Sequence, residues 1–270
     1  MKKLLAIIFC LLLLFAAACG GGGVSDEPVL TVSGAGLETP VEFSLKDLQA
    51  MDDQTLVYST VNNFPSTKYA RAEGCCLAAL LEACGAGEDV TQITVSADDG
   101  FSKTFSREQL LGEAYFYDLS GKPTAVEPML AWAYSDDGGK VPSDAEPIDG
   151  LRLVFGQQGP HQANASASVQ NVSSIELSAE PLPRLEPCSF AKTAEGLIEL
   201  VYEDMDQVKL YYTTDGSDPD PLTSEVYNPS TSNFQPELNA PLDLPAGTKI
   251  RAMAVGFGWA DSEISEYVVE

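Results

Sequence analysis

The feature that most constrains this chain is a proline-rich stretch that separates two differently patterned regions. Pro181, Pro183 and Pro187 lie close together between residues 179 and 188. Proline fixes φ and removes a backbone donor, so such a stretch favours a semi-rigid linker. Strand and helix patterns alternate before it, whereas only strand and turn patterns follow it. The sequence therefore predicts two domains, residues 28–178 and 189–270, joined by a linker at residues 179–188.

The region before the linker mixes strand and helix signals, which predicts an α+β domain. Ser44 followed by Asp47, and Ser106 followed by Gln109, are capping boxes that open short helices. Leucines at i, i+3 and i+4 mark a further amphipathic helix, which Gly85 ends. Alternating or β-branched runs predict strands over residues 30–32, 55–59, 92–97, 101–105, 151–155 and 172–177.

The region after the linker carries regularly spaced strand patterns and no helix pattern. The predicted strands cover residues 198–202, 208–213, 249–255 and 264–269. Turn signals such as Asp215-Gly216 lie between them. Short strands without helices predict a small all-β, antiparallel Ig-like sandwich. Because neighbouring strand residues face opposite sides, one of Tyr211 and Tyr212 is expected to point inward.

The N-terminal segment has the layout of an export signal. Two lysines precede an uncharged apolar run, from Leu4 to Ala18, that is shorter than the roughly 20 residues of a membrane-spanning helix. Small residues then lead to Cys19. The segment resembles a lipobox, which implies a signal peptide at residues 1–18 and diacylglycerol on the sulfur of Cys19. Ordinary secretion with a free cysteine is the alternative, and residues 19–27 predict a glycine-rich tether.

These features predict a lipoprotein that is anchored to a bacterial membrane and is extracytoplasmic or exposed at the cell surface. The chain has 15 basic and 40 acidic residues, for a net charge of −25. Such a charge argues against nucleic acid and anionic lipid headgroups as partners. An apolar fraction of 44% suffices for packed cores and argues against disorder. The partners left open are membrane lipid through Cys19 and an unidentified small molecule, glycan or protein.

Several short phrases in residues 28–178, taken in order, resemble the molybdopterin-binding fold of the sulfite oxidase family. They are LTVSG from Leu30, FSLKDL from Phe43, EG from Glu73, DGF from Asp99, LRLVF from Leu151 and VSSI from Val172. The resemblance implies a cysteine ligand to molybdenum, followed three residues later by asparagine. Asn62 matches the asparagine, but Ser59 stands at the ligand position. A hydroxyl is harder and less acidic than a thiol, so it does not simply replace the sulfur.

Because the sulfur ligand is missing, the sequence predicts a degenerate domain that binds a ligand or a partner rather than catalysing a reaction. It also predicts that this domain binds no cofactor. A molybdenum cofactor-dependent oxidoreductase is the alternative. The resemblance places the ligand site near Ser59. The predicted pocket residues are Tyr58, Asn62, Asn63, Tyr69 and Arg71. Aromatic rings beside amides suit a neutral polar ligand such as a sugar or a peptide, which remains a hypothesis based on inherited geometry.

The sequence assigns no catalytic or metal-binding residue. His161 is the only histidine, and no Gly-x-Ser-x-Gly phrase is present, which excludes a His-rich metal site and a nucleophile elbow. The acidic runs at Asp98 and Asp136 lack EF-hand spacing and predict tight turns. The basic residues available to hold a pterin phosphate show little clustering along the chain: Lys68, Arg71, Lys103, Arg107 and Arg152.

Four cysteines follow the lipidation site: Cys75, Cys76, Cys84 and Cys188. Their even number allows one or two disulfides in an oxidising compartment. Cys76 and Cys84 lie two helical turns apart, which is too far for a bond within one straight helix. Free buried thiols are the favoured state, and disulfides are the alternative.

Residues 189–270 resemble the chitobiase/beta-hexosaminidase C-terminal type of Ig-like domain. The phrases are LYYTTDGSDP from Leu210, YNP from Tyr227, GTKIRAMAV from Gly247 and DSEIS from Asp261. In that family such modules accompany catalytic or surface domains and carry no catalytic residues, which implies a spacer or adhesive unit. A carbohydrate-binding accessory protein is the alternative, with Trp259 and Tyr212 as glycan-contacting rings if both are exposed.

Overall fold

The computed structural model describes residues 26–62, 66–203, 208–228 and 236–270 and is mostly β. Its strands are β1 (Pro28–Gly34), β2 (Val41–Ser44), β3 (Asp53–Val61), β4 (Thr67–Cys76), β5 (Gln92–Ala97), β6 (Ser102–Ser106), β7 (Tyr115–Tyr117), β8 (Pro123–Ala125), β9 (Met129–Asp137), β10 (Pro147–Val154), β11 (Val172–Ser178), β12 (Ser189–Lys192), β13 (Ile198–Val201), β14 (Val208–Thr213), β15 (Glu225–Tyr227), β16 (Lys249–Gly256) and β17 (Ser265–Val268). Its α-helices are α1 (Leu45–Gln49), α2 (Leu77–Cys84), α3 (Arg107–Leu111) and α4 (Pro236–Asn239).

Several predicted features lie outside the described residues. They are the signal peptide at residues 1–18, Cys19, most of the tether, and Asn63. Among the residues that the structure describes, no helix combines the length and the apolar character needed to span a membrane.

The two larger sheets of the first domain enclose a hydrophobic core, and β7 and β8 form a third, two-stranded sheet. Sheet A has the strand order β2-β1-β11-β5-β6, with β1 parallel to β11. Sheet B is antiparallel and has the order β10-β9-β4-β3. Val32 and Ile175 of sheet A are buried in the same cluster as Leu130 and Leu153 of sheet B. Because side chains alternate along a strand, sheet B also has an outer face, where Tyr58 and its neighbours form a separate cluster.

The local sequence signals of the first domain are confirmed. Ser44 caps α1 and Ser106 caps α3, each through a complete capping box. Gly85 ends α2 with a φ of 80°, the left-handed conformation that favours glycine. The hairpin joining β5 to β6 turns at Gly100, which has a φ of 90°. The α+β class predicted for this region is therefore confirmed.

The two longest central strands of sheet B were not among the predicted strands. β4 and β9 pair over most of their length, with an irregularity between Glu73 and Gly74 that breaks the alternation of side chains. A Cβ on Gly74 would lie 2.1 Å from the carbonyl oxygen of Leu130, so only glycine fits this close approach. Cys75 and Cys76 end β4, and Cys76 is also the N-cap residue of α2.

The second domain is a four-stranded sheet, in the order β15-β14-β16-β17, beside the β12-β13 pair. This confirms the predicted strands, although the short helix α4 interrupts the expected all-strand pattern. Tyr212 packs against the core of the second domain, and Tyr211 is buried on the opposite side of β14, as alternation predicts. Leu185 and Cys188 pack in the core of this domain, so the end of the proline-rich stretch is docked against it.

The contacts between the two domains include one aromatic side chain and one glutamine. The ring of Phe257 lies 5.5 Å from that of Phe105 and 5.6 Å from that of Phe155, between their centroids. Gln109 of α3 donates from Nε2 to the carbonyl oxygen of Gly256 at 2.9 Å. An apolar contact and a directional hydrogen bond at the same place favour a defined arrangement of the two domains.

Candidate functional site

Ser59, which the sequence resemblance places at a metal-ligand position, is fully buried in β3. Its hydroxyl donates to Oε1 of Gln157 at 2.5 Å and accepts from the backbone N–H of Tyr117 at 3.0 Å. Gln157 in turn donates from Nε2 to the carbonyl oxygens of three residues in the following loop: Gly159, Pro160 and Gln162. The Ser59 hydroxyl therefore has both a donor and an acceptor within the protein.

Asn164 completes this arrangement, and we call Ser59, Gln157 and Asn164 the Ser59 network. The Oδ1 atom of Asn164 accepts from the N–H of Val61 at 3.0 Å. Its Nδ2 donates to the carbonyl oxygens of Ser59 and Phe155 at 3.3 and 3.2 Å. All three side chains of the network are at most 2% exposed. Paired buried polar groups of this kind fix the packing of a core rather than receive a ligand.

The Ser59 position does not fit a molybdenum-bound pterin in its present arrangement. The ligating atom would be a hydroxyl oxygen that is already bonded to Gln157. Cys75 is buried in the main core, and Cys76 donates from Sγ to Oε2 of Glu127 at 3.2 Å. Burial raises the pKa of Cys75 to about 11, which keeps it a thiol rather than a metal-binding thiolate. Within the described residues, no three acidic, cysteine or histidine side chains are placed to hold a metal ion.

The four cysteines are free, and Cys75, Cys76 and Cys188 are buried. Burial also raises the pKa of the half-exposed Cys84 thiol to about 11. This outcome agrees with the favoured expectation of free thiols, although only Cys84 lies inside a helix.

A cavity of about 170 Å³ opens on the outer face of sheet B, and we call it the outer pocket. All four strands of the sheet contribute to its lining. The polar and charged residues of the lining include Thr60, Asn62, Lys68, Tyr134, Asp136, Arg152 and Ser168. Since Ser59 and Thr60 are neighbours in a strand, their side chains face opposite sides of it. The Ser59 hydroxyl therefore faces away from the outer pocket, although Asn164 of the Ser59 network also contributes to the lining of that pocket.

The structure brings one of the predicted pocket residues, Asn62, to the outer pocket. Tyr58 is buried in the outer cluster, and its hydroxyl donates to the carbonyl oxygen of Glu127 at 2.6 Å. Tyr69 packs edge-on against Phe116. Arg71 donates from Nε to the carbonyl oxygen of Pro142 at 2.8 Å, and Asn63 lies outside the described residues.

The charges of the outer pocket come from residues that are far apart in the sequence. Lys68 lies 3.3 Å from a carboxylate oxygen of Asp136. The guanidinium carbon of Arg152 lies 3.9 Å from the centroid of the Tyr134 ring, in a cation–π contact. Burial raises the pKa of Tyr134 to about 12. Lys68 and Arg152 are not clustered in the sequence, and the signal for their site is the charged Arg152 inside the apolar run of β10.

A larger groove, with a volume of about 530 Å³, lies on the second domain next to the linker. Its lining includes Trp259, Tyr202, Glu186 and Arg184. The sequence paired Trp259 with Tyr212, but Tyr212 packs against the cores of the second domain and is not among the groove residues. The aromatic ring beside Trp259 in the groove is Tyr202.

The remaining acidic and histidine motifs have structural roles or none that the fold defines. Asp99 accepts from the N–H of Phe101 at 2.9 Å, and Asp137 accepts from that of Gly139 at 2.7 Å. Both are side-chain-stabilised turns, which confirms the prediction of turns at these acidic runs. His161 is exposed in the loop that follows β10.

Comparisons with known proteins identify the second domain only. Residues 198–268 match the model of the family described as Fn3 associated. No curated protein matches the chain. Among solved structures, the sulfane dehydrogenase SoxCD from Paracoccus pantotrophus is similar with 12% identity and a TM-score of 0.39, over 89% of this chain and 71% of that one. The part of the chain that these comparisons show to be similar to a known family is therefore its C-terminal β domain.

Proposed function

We propose that this chain is a lipid-anchored extracytoplasmic protein whose first domain binds a ligand or a partner and has no catalytic activity of its own. The observation that carries the proposal is the Ser59 network. The Ser59 hydroxyl already donates its one proton to Gln157 and accepts from the N–H of Tyr117, in a fully buried position that these two partners enclose. Displacing Gln157 would leave its amide and three loop carbonyls unpaired in the interior.

The opposing candidate is a molybdenum cofactor-dependent oxidoreductase that uses Ser59 or no protein ligand. Molybdenum analysis separates the two. The full chain, produced with added molybdate in a bacterial host that makes the cofactor, is expected to contain only background molybdenum. A known molybdenum enzyme purified in parallel shows that the host supplies the cofactor.

The variant Ser59→Cys is a matched test of the same proposal, because it restores the sulfur without clearing the space that Gln157 fills. We expect it to remain free of molybdenum too. Stoichiometric molybdenum and pterin in the wild-type protein would overturn the proposal. Loading of Ser59→Cys alone would show instead that the serine, and not the network around it, prevents binding.

The anchor is a separate part of the proposal and rests on the N-terminal sequence, from the apolar run to Cys19. Acyl chains on Cys19 would hold the protein at a membrane, with the glycine-rich tether between lipid and domain. We expect the wild-type chain in the membrane fraction, with a diacylglycerol mass on the mature N-terminus. Cys19→Ser is expected to prevent lipidation, and an unlipidated, soluble wild-type chain would contradict the anchor.

Carbohydrate binding by the second domain is a second candidate function, which the groove around Trp259 favours. An indole and a phenol ring beside carboxylates are surfaces on which sugar rings stack and form hydrogen bonds. The test is a glycan array with the full chain, because an isolated second domain would expose Phe257. Binding that Tyr202→Ala abolishes and Tyr212→Phe preserves would support this candidate. Absence of binding to any glycan would remove it.

A further inference from the structure

The guanidinium of Arg152 is the strongest unused recognition element in the first domain. Arg152 lies in β10 between Leu151 and Leu153, which face the main core, so its side chain lies on the outer face with the pocket. It rests on the ring of Tyr134, and its Nε atom is buried without a hydrogen-bond partner. Because Arg152 also lines the outer pocket, its guanidinium fork points to an acceptor that a ligand supplies.

The charge balance of the pocket indicates the sign of that ligand. Lys68 and Asp136 form an ion pair, so their charges offset each other. Arg152 then supplies the positive charge that remains among the described residues of the lining. In a chain of net charge −25, a half-buried cation that stacks on an aromatic ring is well placed to attract an anion.

The size of the cavity and the geometry of the guanidinium narrow the class of ligand further. The cavity of about 170 Å³ is close to the roughly 150 Å³ that admits a benzene molecule, so the ligand has only a few heavy atoms. The fork of N–H groups in a guanidinium matches a planar carboxylate with two parallel hydrogen bonds. Thr60, Asn62 and Ser168 bring hydroxyl and amide groups to the same lining. We propose that the outer pocket binds a small organic carboxylate through Arg152.

This inference deepens the proposed binding function of the first domain and assigns it a site and a ligand class. It differs from the sequence-based hypothesis, which placed a neutral ligand near Tyr58 and Tyr69. The Tyr58 hydroxyl and the Arg71 Nε are already bonded to backbone carbonyls, whereas the Nε atom of Arg152 has no such partner.

The test is calorimetric titration of the full chain in detergent and low-salt buffer with acetate, lactate, succinate, inorganic phosphate and glucose. We expect saturable binding of at least one carboxylate with a Kd of about 1 mM or tighter. Arg152→Lys keeps the charge but loses the fork, and is expected to weaken binding about 10-fold. Lys103→Gln is the matched control, because Lys103 also lies over an aromatic ring but outside the pocket, and it should leave the Kd unchanged.

Asn62→Asp guards against variants that merely unfold. Asn62 is exposed, and its Oδ1 accepts from the N–H of Ser66 at 3.1 Å, a bond that aspartate preserves. The added negative charge is expected to weaken carboxylate binding about 5-fold. Glucose binding that Asn62→Asp leaves unchanged, phosphate binding without carboxylate binding, or no saturable binding by any probe would each overturn the inference. The molybdenum measurement is independent, so a failure here is distinguishable from a failure of the proposed function.

Discussion

The Ser59 network and the outer pocket are two adjoining polar clusters that share Asn164, and they differ in how their polar groups are satisfied. In the network, Ser59, Gln157 and Asn164 use their hydrogen-bonding groups on one another and on backbone atoms. In the outer pocket, Arg152 lines the cavity and its buried Nε atom has no acceptor from the protein.

This difference separates a structural role from a binding role. A complete network resists change, because the loss of one member leaves several buried groups unpaired. A ligand that supplies an acceptor to an unsatisfied donor stabilises the folded protein. The residues of such a pocket therefore contribute less to the stability of the free protein. The position of Ser59 thus has the properties of a core, whereas the outer pocket has those of a site.

Gln157→Leu is expected to have the largest effect. It leaves the Ser59 hydroxyl and three loop carbonyls without their partner, so the free energy of unfolding should fall by about 3 kcal/mol. Urea denaturation measures the change. Gln158→Leu is the control, since Gln158 is half-buried and water replaces its bonds, and its loss should stay below about 1 kcal/mol. Equal losses for the two variants would contradict the structural role of the network.

Ser59→Ala is expected to have an intermediate effect. It leaves Oε1 of Gln157 and the N–H of Tyr117 unpaired but creates only a small void, so the free energy of unfolding should fall by about 2 kcal/mol. Combined with Gln157→Leu, the loss should be smaller than the sum of the two single losses, because both remove the same hydrogen bond. Full additivity in this double-mutant cycle would show that the two side chains do not act together.

Sequence reasoning succeeded where the signal is local. The Ser44-Asp47 and Ser106-Gln109 capping boxes are formed by residues three apart, and Gly85 ends its helix through its own backbone conformation. These features depend on neighbours along the chain, so a single sequence reveals them. The same holds for the β5-β6 hairpin, which is closed by a tight turn.

The site was less predictable because its contacts join distant segments. Ser59 and Gln157 are 98 residues apart, and nothing near either residue specifies the other. β4 departs from simple alternation at Glu73 and Gly74, so the sequence carries no periodic signal for its pairing with β9. This pairing places Lys68 beside Asp136, and their proximity was therefore not predictable either. The sequence did identify Ser59 as a departure from the family's ligand, but only the fold shows which side chain fills the space.

Arg152→Met tests the outer pocket, where a smaller effect on stability is expected. Methionine keeps an unbranched apolar side chain on the Tyr134 ring but removes the charge and the buried Nε donor. Loss of the cation–π contact destabilises the variant, whereas removal of the unpaired donor stabilises it. Because these effects oppose each other, the free energy of unfolding should change by less than about 1 kcal/mol. Denaturation without added carboxylate gives the value. A loss as large as that of Gln157→Leu would show that Arg152 is structural.

Tyr134→Phe is expected to have the smallest effect at neutral pH and a distinctive one in alkali. Its hydroxyl lies 3.3 Å from Asp136 and is a weak donor there, so removing it should change stability by no more than about 0.5 kcal/mol near pH 7. The pKa of Tyr134 is raised from 10.0 to about 12 by burial. A phenol with a raised pKa in the folded state stabilises that state below pH 10, and this contribution is lost as the pH rises through 12.

The Tyr134→Phe variant should therefore lose less stability than the wild type between pH 10 and pH 12, which parallel denaturation series across that range will show. Tyr58 is the matched control on the same face, since Tyr58→Phe also removes a hydroxyl but breaks its bond to the carbonyl oxygen of Glu127. That variant should be destabilised at neutral pH as well, by about 1 kcal/mol. If the stability of Tyr134→Phe followed the wild-type curve throughout this pH range, the Tyr134 phenol would be solvated. The buried ring on which Arg152 stacks would then not be part of the pocket in solution.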